Sequence, residues 1–288
     1  MPRFAAGLEY DGRAYSGWQI QPALATVQDV VQRAFSRVAD STVDCTCAGR
    51  TDAGVHALAQ VLHFDSEAAR GERGWRLGAN SYLPPDVSVA WVREVPAHFH
   101  ARFSALARSY RYLIFNRDSR SALAAGRATW QRRPLDVPRM HAAAQVLMGE
   151  HDFSAFRAIE CQARSPVRRV EHVEVARRGE WVTLDITANA FLHHMVRNVA
   201  GLLMSVGHGE SPPERVAAVL ATRDRKTNAA TAPPDGLYLA AVRYPAEFGI
   251  PGPATLADAG SLAAVIIASD SVTDSVTDPV DASARTSS

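Results

Sequence analysis

The sequence predicts an α+β protein of two related halves, each a mainly antiparallel sheet with helices on one face. Three observations carry that prediction. Strand-like runs are interleaved with segments of helical period, hairpin-like pairings occur in both halves, and the second half repeats the theme of the first. The sheets of two such halves can join and leave a cleft between them.

The first half, over residues 1–105, opens with a strand-like run from Phe4 to Tyr10 and a polar, Gly-rich loop from Asp11 to Pro22. Thr26 stands where a helix cap is expected. Val27, Val30, Val31, Ala34, Phe35 and Val38 then recur at helical spacing and give one apolar face. Strands are expected at 43–48, 60–64 and 87–94, with a helix near 75–82, so the loop around Asp52 joins two strands. In the second half, over 106–248, Arg108 to Asn116 reads as a strand. A helix follows over 137–148, capped by Asp136, with Pro138 suited to its first turn. The runs 168–176 and 181–188 form a hairpin about Arg178-Gly179. Phe191 to Val206 reads as a helix burying Phe191, Met195, Val199, Leu202 and Val206. Ser211, Pro212 and Glu214 make a capping signature for a helix to Leu220, and Leu237 to Tyr244 is the last strand. Residues 249–288 turn to Ser, Thr, Ala and Asp and are expected to be a disordered acidic tail, apart from a short helix around 262–268.

Composition bounds the class. At 288 residues and 47% hydrophobic content the chain can bury a sizeable core. Charge, Gly or Pro interrupts its apolar stretches within about 10 residues, short of the roughly 20 that span a bilayer. Met1-Pro2-Arg3-Phe4 carries no secretory pattern, so the expected place of work is the cytoplasm. Cys45, Cys47 and Cys161 are too few and too poorly spaced for a disulfide framework or structural zinc. The net charge of +1 conceals an asymmetry, because the tail holds five acids and one base, leaving 30 bases against 25 acids in the body. A modestly basic body is compatible with a polyanionic partner.

The most informative segment is Gly49-Arg50-Thr51-Asp52-Ala53-Gly54-Val55-His56-Ala57, in which Asp52 is the only acid between Cys45 and Phe64. Glycines on both sides let the backbone turn tightly and lift one carboxylate out on a loop beside a cation. Such a carboxylate stays ionised at neutral pH, which suits a nucleophile or an electrostatic stabiliser and not a general acid. Taken alone, an Arg-Asp pair in a Gly-rich turn is more often a local salt bridge or an Asx-turn.

Further motifs accompany it in order: Tyr10-Asp11-Gly12 with Gly17-Trp18-Gln19, Ser109-Tyr110-Arg111-Tyr112, His151-Asp152-Phe153, Phe191-Leu192-His193-His194-Met195-Val196-Arg197-Asn198, and Gly236-Leu237-Tyr238-Leu239. Together these resemble the A-type tRNA pseudouridine synthases over about residues 3–245. The resemblance implies the pseudouridine synthase fold, with the two sheets joined around a central catalytic cleft. It implies isomerisation of uridine to pseudouridine in the anticodon stem-loop of tRNA, at uridines 38, 39 and 40, without a cofactor and by a homodimer. It further implies that Asp52 is the catalytic aspartate, that Tyr110 stacks beneath the target base and can take its C5 proton, and that Arg197 pairs with the catalytic carboxylate. Arg50 is expected to position the substrate and contact phosphate, and Leu237 to pack against the flipped base.

A paired uridine must be extruded to react, which calls for a stacking aromatic and a wedge. Arginines such as Arg13, Arg102, Arg108, Arg111, Arg164, Arg168 and Arg169 are expected to serve RNA phosphates. His193-His194, His98-x-His100 and His56 invite a metal reading, but no acid or thiolate stands at ligand spacing, so no metal is expected. The chain departs from the resemblance at 226–234, where Lys226-Thr227-Asn228-Ala229-Ala230-Thr231-Ala232-Pro233-Pro234 replaces a more usual Gly-Pro-Thr run, a change expected to leave Asp52, Tyr110 and Arg197 untouched. Two other classes compete. A glycoside or nucleoside hydrolase normally needs two carboxylates roughly 5 to 10 Å apart. A non-catalytic RNA-binding protein has no use for a lone ionised acid facing phosphates.

Overall fold

The computed structural model describes residues 1–253 together with Thr255 and Leu256, so the expected tail and its helix lie outside the described residues. The strands are β1 (Arg3–Tyr10), β2 (Cys45–Cys47), β3 (His56–Asp65), β4 (Val87–Val95), β5 (Ala107–Asn116), β6 (Thr129–Gln131), β7 (Gly149–Asp152), β8 (Val167–Arg178), β9 (Trp181–Ala188) and β10 (Leu237–Arg243). The helices are α1 (Val27–Ala39), α2 (Glu72–Tyr82), α3 (Val137–Ala144), α4 (Met195–Gly207) and α5 (Arg215–Thr222). The architecture is α+β. All ten strands of the described residues form one sheet, in the order β4-β1-β3-β10-β5-β9-β8-β7, with β2 also on β3 and β6 also on β5.

The last strand of the described residues is the seam. Strand β10 runs antiparallel to β5, with Leu237 opposite Tyr112 and Leu239 opposite Tyr110, and makes a short parallel pairing with β3 through Tyr238 and Leu239. Most other pairings are antiparallel, as hairpin-like neighbours require. The period-2 alternation of β5 divides its side chains between two faces. Tyr110, Tyr112 and Ile114 join the main core with the helices, while Leu113 and Phe115 join Ala124, Ala128, Trp181 and Tyr238 in a smaller cluster on the other side. The middle of the sheet is therefore buried on both faces.

Several local expectations are corrected. Helix α4 begins at Met195 and not at Phe191, because residues 191–194 form a loop in which His194 takes a left-handed φ of 61°. Helix α3 stops at Ala144 and continues only as a 3-10 turn over Gln145–Leu147. Thr26 makes no side-chain cap and its buried hydroxyl has no partner; the carbonyls of Gly17 and Trp18 accept from Val27 and Gln28 instead. Ser211 receives a hydrogen bond from the Ser205 hydroxyl and does not cap α5, which starts after Glu214. Asp136 does cap α3, accepting from the backbone of Arg139 at 3.0 Å. The short strands β6 and β7 were not anticipated, since three or four residues give no alternation to read.

Candidate active site

Asp52 sits on the connection between β2 and β3, and this loop is fastened from several directions. The Gln60 amide donates to Gly49 O at 2.6 Å, Tyr10 and Thr51 share a hydroxyl contact of 2.8 Å, and Trp18 N donates to Thr51 O at 3.0 Å. Gly17 (φ +92°) accounts for its own position in the motif, because a Cβ there would lie 2.7 Å from the Thr51 carbonyl. The Gly17-Trp18 segment that closes on this loop also supplies the carbonyls capping α1. The carboxylate is thus carried on a braced loop, not a floppy one.

Helix α4 supplies the opposite wall. Arg197 donates through Nη1 to Asp52 Oδ2 at 3.2 Å, and His193 Nε2 and His194 Nε2 lie 3.3 Å and 3.4 Å from Asp52 Oδ1 and Oδ2. The Asp52 side chain is 19% exposed and that of Arg197 14% exposed. Burial alone pushes the Asp52 carboxyl up, but its interaction with His193 and the charges of His194 and Arg197 outweigh this and hold it below the usual carboxylate range. The two histidines diverge. Contact with Asp52 raises the His193 pKa, whereas burial lowers that of His194 despite the neighbouring carboxylate.

The divergent run at 226–234 takes part directly, contrary to expectation. Arg197 Nε donates to Ala232 O at 2.8 Å, and Ala232 N returns a bond to Arg197 O at 3.1 Å. Buried Asn198 accepts from Arg225 and Thr231 through Oδ1 and donates to Phe156 O at 2.7 Å. Pro234 packs over Gly54, whose Cβ would come within 3.0 Å of the ring. The run therefore holds the Arg197 guanidinium through the Ala232 carbonyl.

Between these walls lies a cleft of about 1380 Å³ lined by Arg50, Asp52, Tyr110, Phe191, His193, His194, Arg197 and Leu237 among others. It is larger than the roughly 300–1,000 Å³ of a small-molecule site. Tyr110 lies beneath it with its ring edge-on to Phe191 at 4.9 Å. Burial, reinforced by the Asp52 charge, drives the Tyr110 phenol well above its usual pKa, so it remains neutral. All five residues singled out from the sequence reach this one space.

The other arginines divide. Arg108 is buried and spent on carbonyls, donating to Ala48 O at 2.9 Å, to Asn189 O at 3.0 Å and to Arg102 O. Arg111 forms a two-pronged pair with Asp185 at 2.7–2.8 Å, and Arg13 a similar one with Asp11. Structural partners thus occupy three of the arginines expected at phosphates. Arg50 and Arg102 line the cleft and, among the described residues, pair with no carboxylate.

The sequence reading missed the partnership of Asp52 with His193 and His194, because 141 residues separate the acid from the first ring. A weak signal was present: two adjacent imidazoles three residues before an arginine already assigned to the carboxylate. Asp52, His193 and His194 place one ligand atom each within 4.8 Å of one another, and among the described residues they alone have the types and spacing for a metal ion. Arg197 already neutralises that carboxylate, which weighs against a second cation there. Glu160, exposed and on the cleft lining, is a second acid that local spacing could not reveal.

Comparison with known proteins agrees with this geometry. The sequence profile described as tRNA pseudouridine synthase matches residues 6–104 and 143–245. The tRNA pseudouridine synthase A of Methylococcus capsulatus is 59% identical over 86% of this chain and 92% of its own length. Those of Nitrosococcus oceani and Pseudomonas aeruginosa are each 54% identical, over 86% of this chain and 96% and 88% of their own lengths. With a profile match over both halves and relatives this close over nearly their whole lengths, the chain belongs to the tRNA pseudouridine synthase family.

Proposed function

We propose that this chain isomerises uridine to pseudouridine at positions 38, 39 and 40 of the anticodon stem-loop of tRNA, with Asp52 as the nucleophile. The observation that carries the reading is a partly buried carboxylate, kept ionised by Arg197 and two histidines, facing a cleft large enough for an extruded nucleotide. The reaction breaks the bond from N1 to C1′ and joins C5 to C1′; C5 gives up its proton and N1 takes one, so composition is unchanged. An ionised carboxylate suffices for it by adding to C1′ or to C6 and leaving again. Tyr110, neutral at working pH, suits stacking beneath the uracil and brief relay of the C5 proton, and Leu237 packs against the same ring. Arg197 keeps the carboxylate charged and aimed, while Arg50 meets phosphate. A homodimer in the cytoplasm, giving a large tRNA more surface than one copy offers, belongs to the same reading.

An RNA-binding protein without chemistry is the competing reading. Its disadvantage is Asp52, since a negative charge in the cleft opposes a polyanion. The test is tritium release from tRNA labelled at uracil C5. Asp52→Asn is expected to bind tRNA and to lose turnover by roughly 10⁴-fold or more. Turnover persisting in that variant refutes the assignment. Wild-type protein that binds tRNA but releases no label favours the binding reading, and free uracil among the products would indicate a hydrolase.

A further inference from the structure

Phe103 is 77% exposed, although a large aromatic ring in water forfeits the burial that normally stabilises it. The exposure does not come from a loose segment. Just before it in the chain Phe99 and Ala101 are fully buried, Ala101 N donates to His63 Nδ1 at 3.1 Å, and Tyr244 donates to Ala101 O at 2.6 Å. His100 Nδ1 accepts from the backbone of both Arg102 and Phe103, at 3.1 and 3.2 Å, and its ring lies 4.3 Å from the Phe103 ring at 31°. The buried Arg108 holds the Arg102 carbonyl. The turn is anchored, and the phenyl ring is what it presents.

Its surroundings point to a ligand. Phe103 and Arg102 line the same cleft as Asp52, and the Arg102 guanidinium sits 5.6 Å from the Phe103 ring centre. Arg50 lines the same cleft as Arg102 and Phe103. An exposed aromatic in a cleft that also holds two cations without carboxylate partners among the described residues is the pattern by which proteins hold an unstacked nucleobase and its flanking phosphates.

We infer that Phe103 is a stacking platform for the base left without its neighbour when the target uridine is extruded, with Arg102 and Arg50 on the adjoining phosphates. The inference rests on the function proposed above and supplies the wedge that base extrusion requires. A flat ring fixed at the rim replaces part of the stacking lost from the stem, so it lowers the barrier to extrusion only where a stem must be opened. A merely apolar side chain at this position cannot do so.

The test compares Phe103→Ala, Phe103→Leu and Phe103→Trp with wild type on two tRNAs, one with the target uridine paired and one with it opposite a mismatch. Affinity for each RNA is measured by filter binding, and pseudouridine formation by single turnover. On the paired substrate the Ala and Leu variants are expected to lose about tenfold or more in rate, and Trp to stay within about threefold of wild type. On the mismatched substrate the loss should shrink to about threefold or less. Ala matching wild type on the paired RNA, Leu restoring the rate, or equal losses on both RNAs would overturn the inference. If the wild type makes no pseudouridine, the proposed function fails instead. Affinity then decides the stacking claim, which stands if Ala and Leu weaken binding and Trp does not, and falls otherwise.

Discussion

Two groups of arginines face the same cleft, and they are used in opposite ways. On one wall Arg197 is 14% exposed, bonded to Asp52 and to the Ala232 carbonyl, and its charge serves the protein's own carboxylate. On the other rim Arg50 and Arg102 extend without carboxylate partners among the described residues, and their charge is free for something else. Arg108 lines the same cleft, carries the same functional group and spends it on backbone carbonyls. Composition therefore says little about what an arginine does. Burial and the nearest acceptor decide it, because a buried guanidinium must be matched by fixed oxygens whereas an exposed one exchanges water for a phosphate at little expense.

Breaking the first group should have the largest effect. Arg197→Met removes a positioned cation from the carboxylate and is expected to reduce pseudouridine formation by roughly 10²–10³-fold while tRNA affinity changes little; an unchanged single-turnover rate would show that the ion pair is idle. Next comes Arg108→Met, which leaves buried carbonyls unsatisfied and should lower unfolding stability by about 2–3 kcal/mol without altering the salt dependence of RNA binding. A urea titration paired with binding at several salt concentrations separates the two effects. Arg50→Ala and Arg102→Ala should do the reverse. Each is expected to leave stability nearly intact and to flatten the dependence of log affinity on log salt by about one unit. A slope unaltered in both variants would remove the rim from the RNA interface.

The smallest effect concerns pH. The His193 pKa is raised by Asp52 above its usual 6.5, so the stability this contact contributes is fully present below that value and lost as pH rises through the raised one. Asp52 runs the other way: its carboxyl lies below the usual 3.8, so its contribution is present above 3.8 and lost as pH falls through the lowered value. His193→Gln should therefore differ most from wild type in urea midpoint below the usual imidazole value of 6.5 and converge with it as pH rises through the raised one. A difference that does not change with pH would place the charge of His193 outside the contact.

The contrast between β3 and α4 explains how much could be read in advance. The Asp52 loop was legible because its chemistry is local: glycines, an acid and flanking strands stand within nine residues, and backbone sterics alone require a turn there. The start of α4 was not, since residues 191–194 have good helical pattern but His194 adopts a left-handed conformation that places its ring against Asp52. Tertiary contact overrode propensity at that position. The divergent run at 226–234 was misjudged for a related reason. Its sequence says loop, and nothing local says that a carbonyl from it will hold the arginine on another helix.

By itself the sequence determined the α+β class, most of the strands and helices, the aspartate carried on a tight loop and the motif set from which the family follows, because periodicity, turn chemistry and short-range spacing are properties of neighbouring residues. Only the tertiary structure decided that β10 joins the halves into one sheet, that His193 and His194 converge on Asp52, and which arginines stay free at the rim. Those outcomes depend on distances between residues far apart in the chain, and such distances are set by packing the whole core.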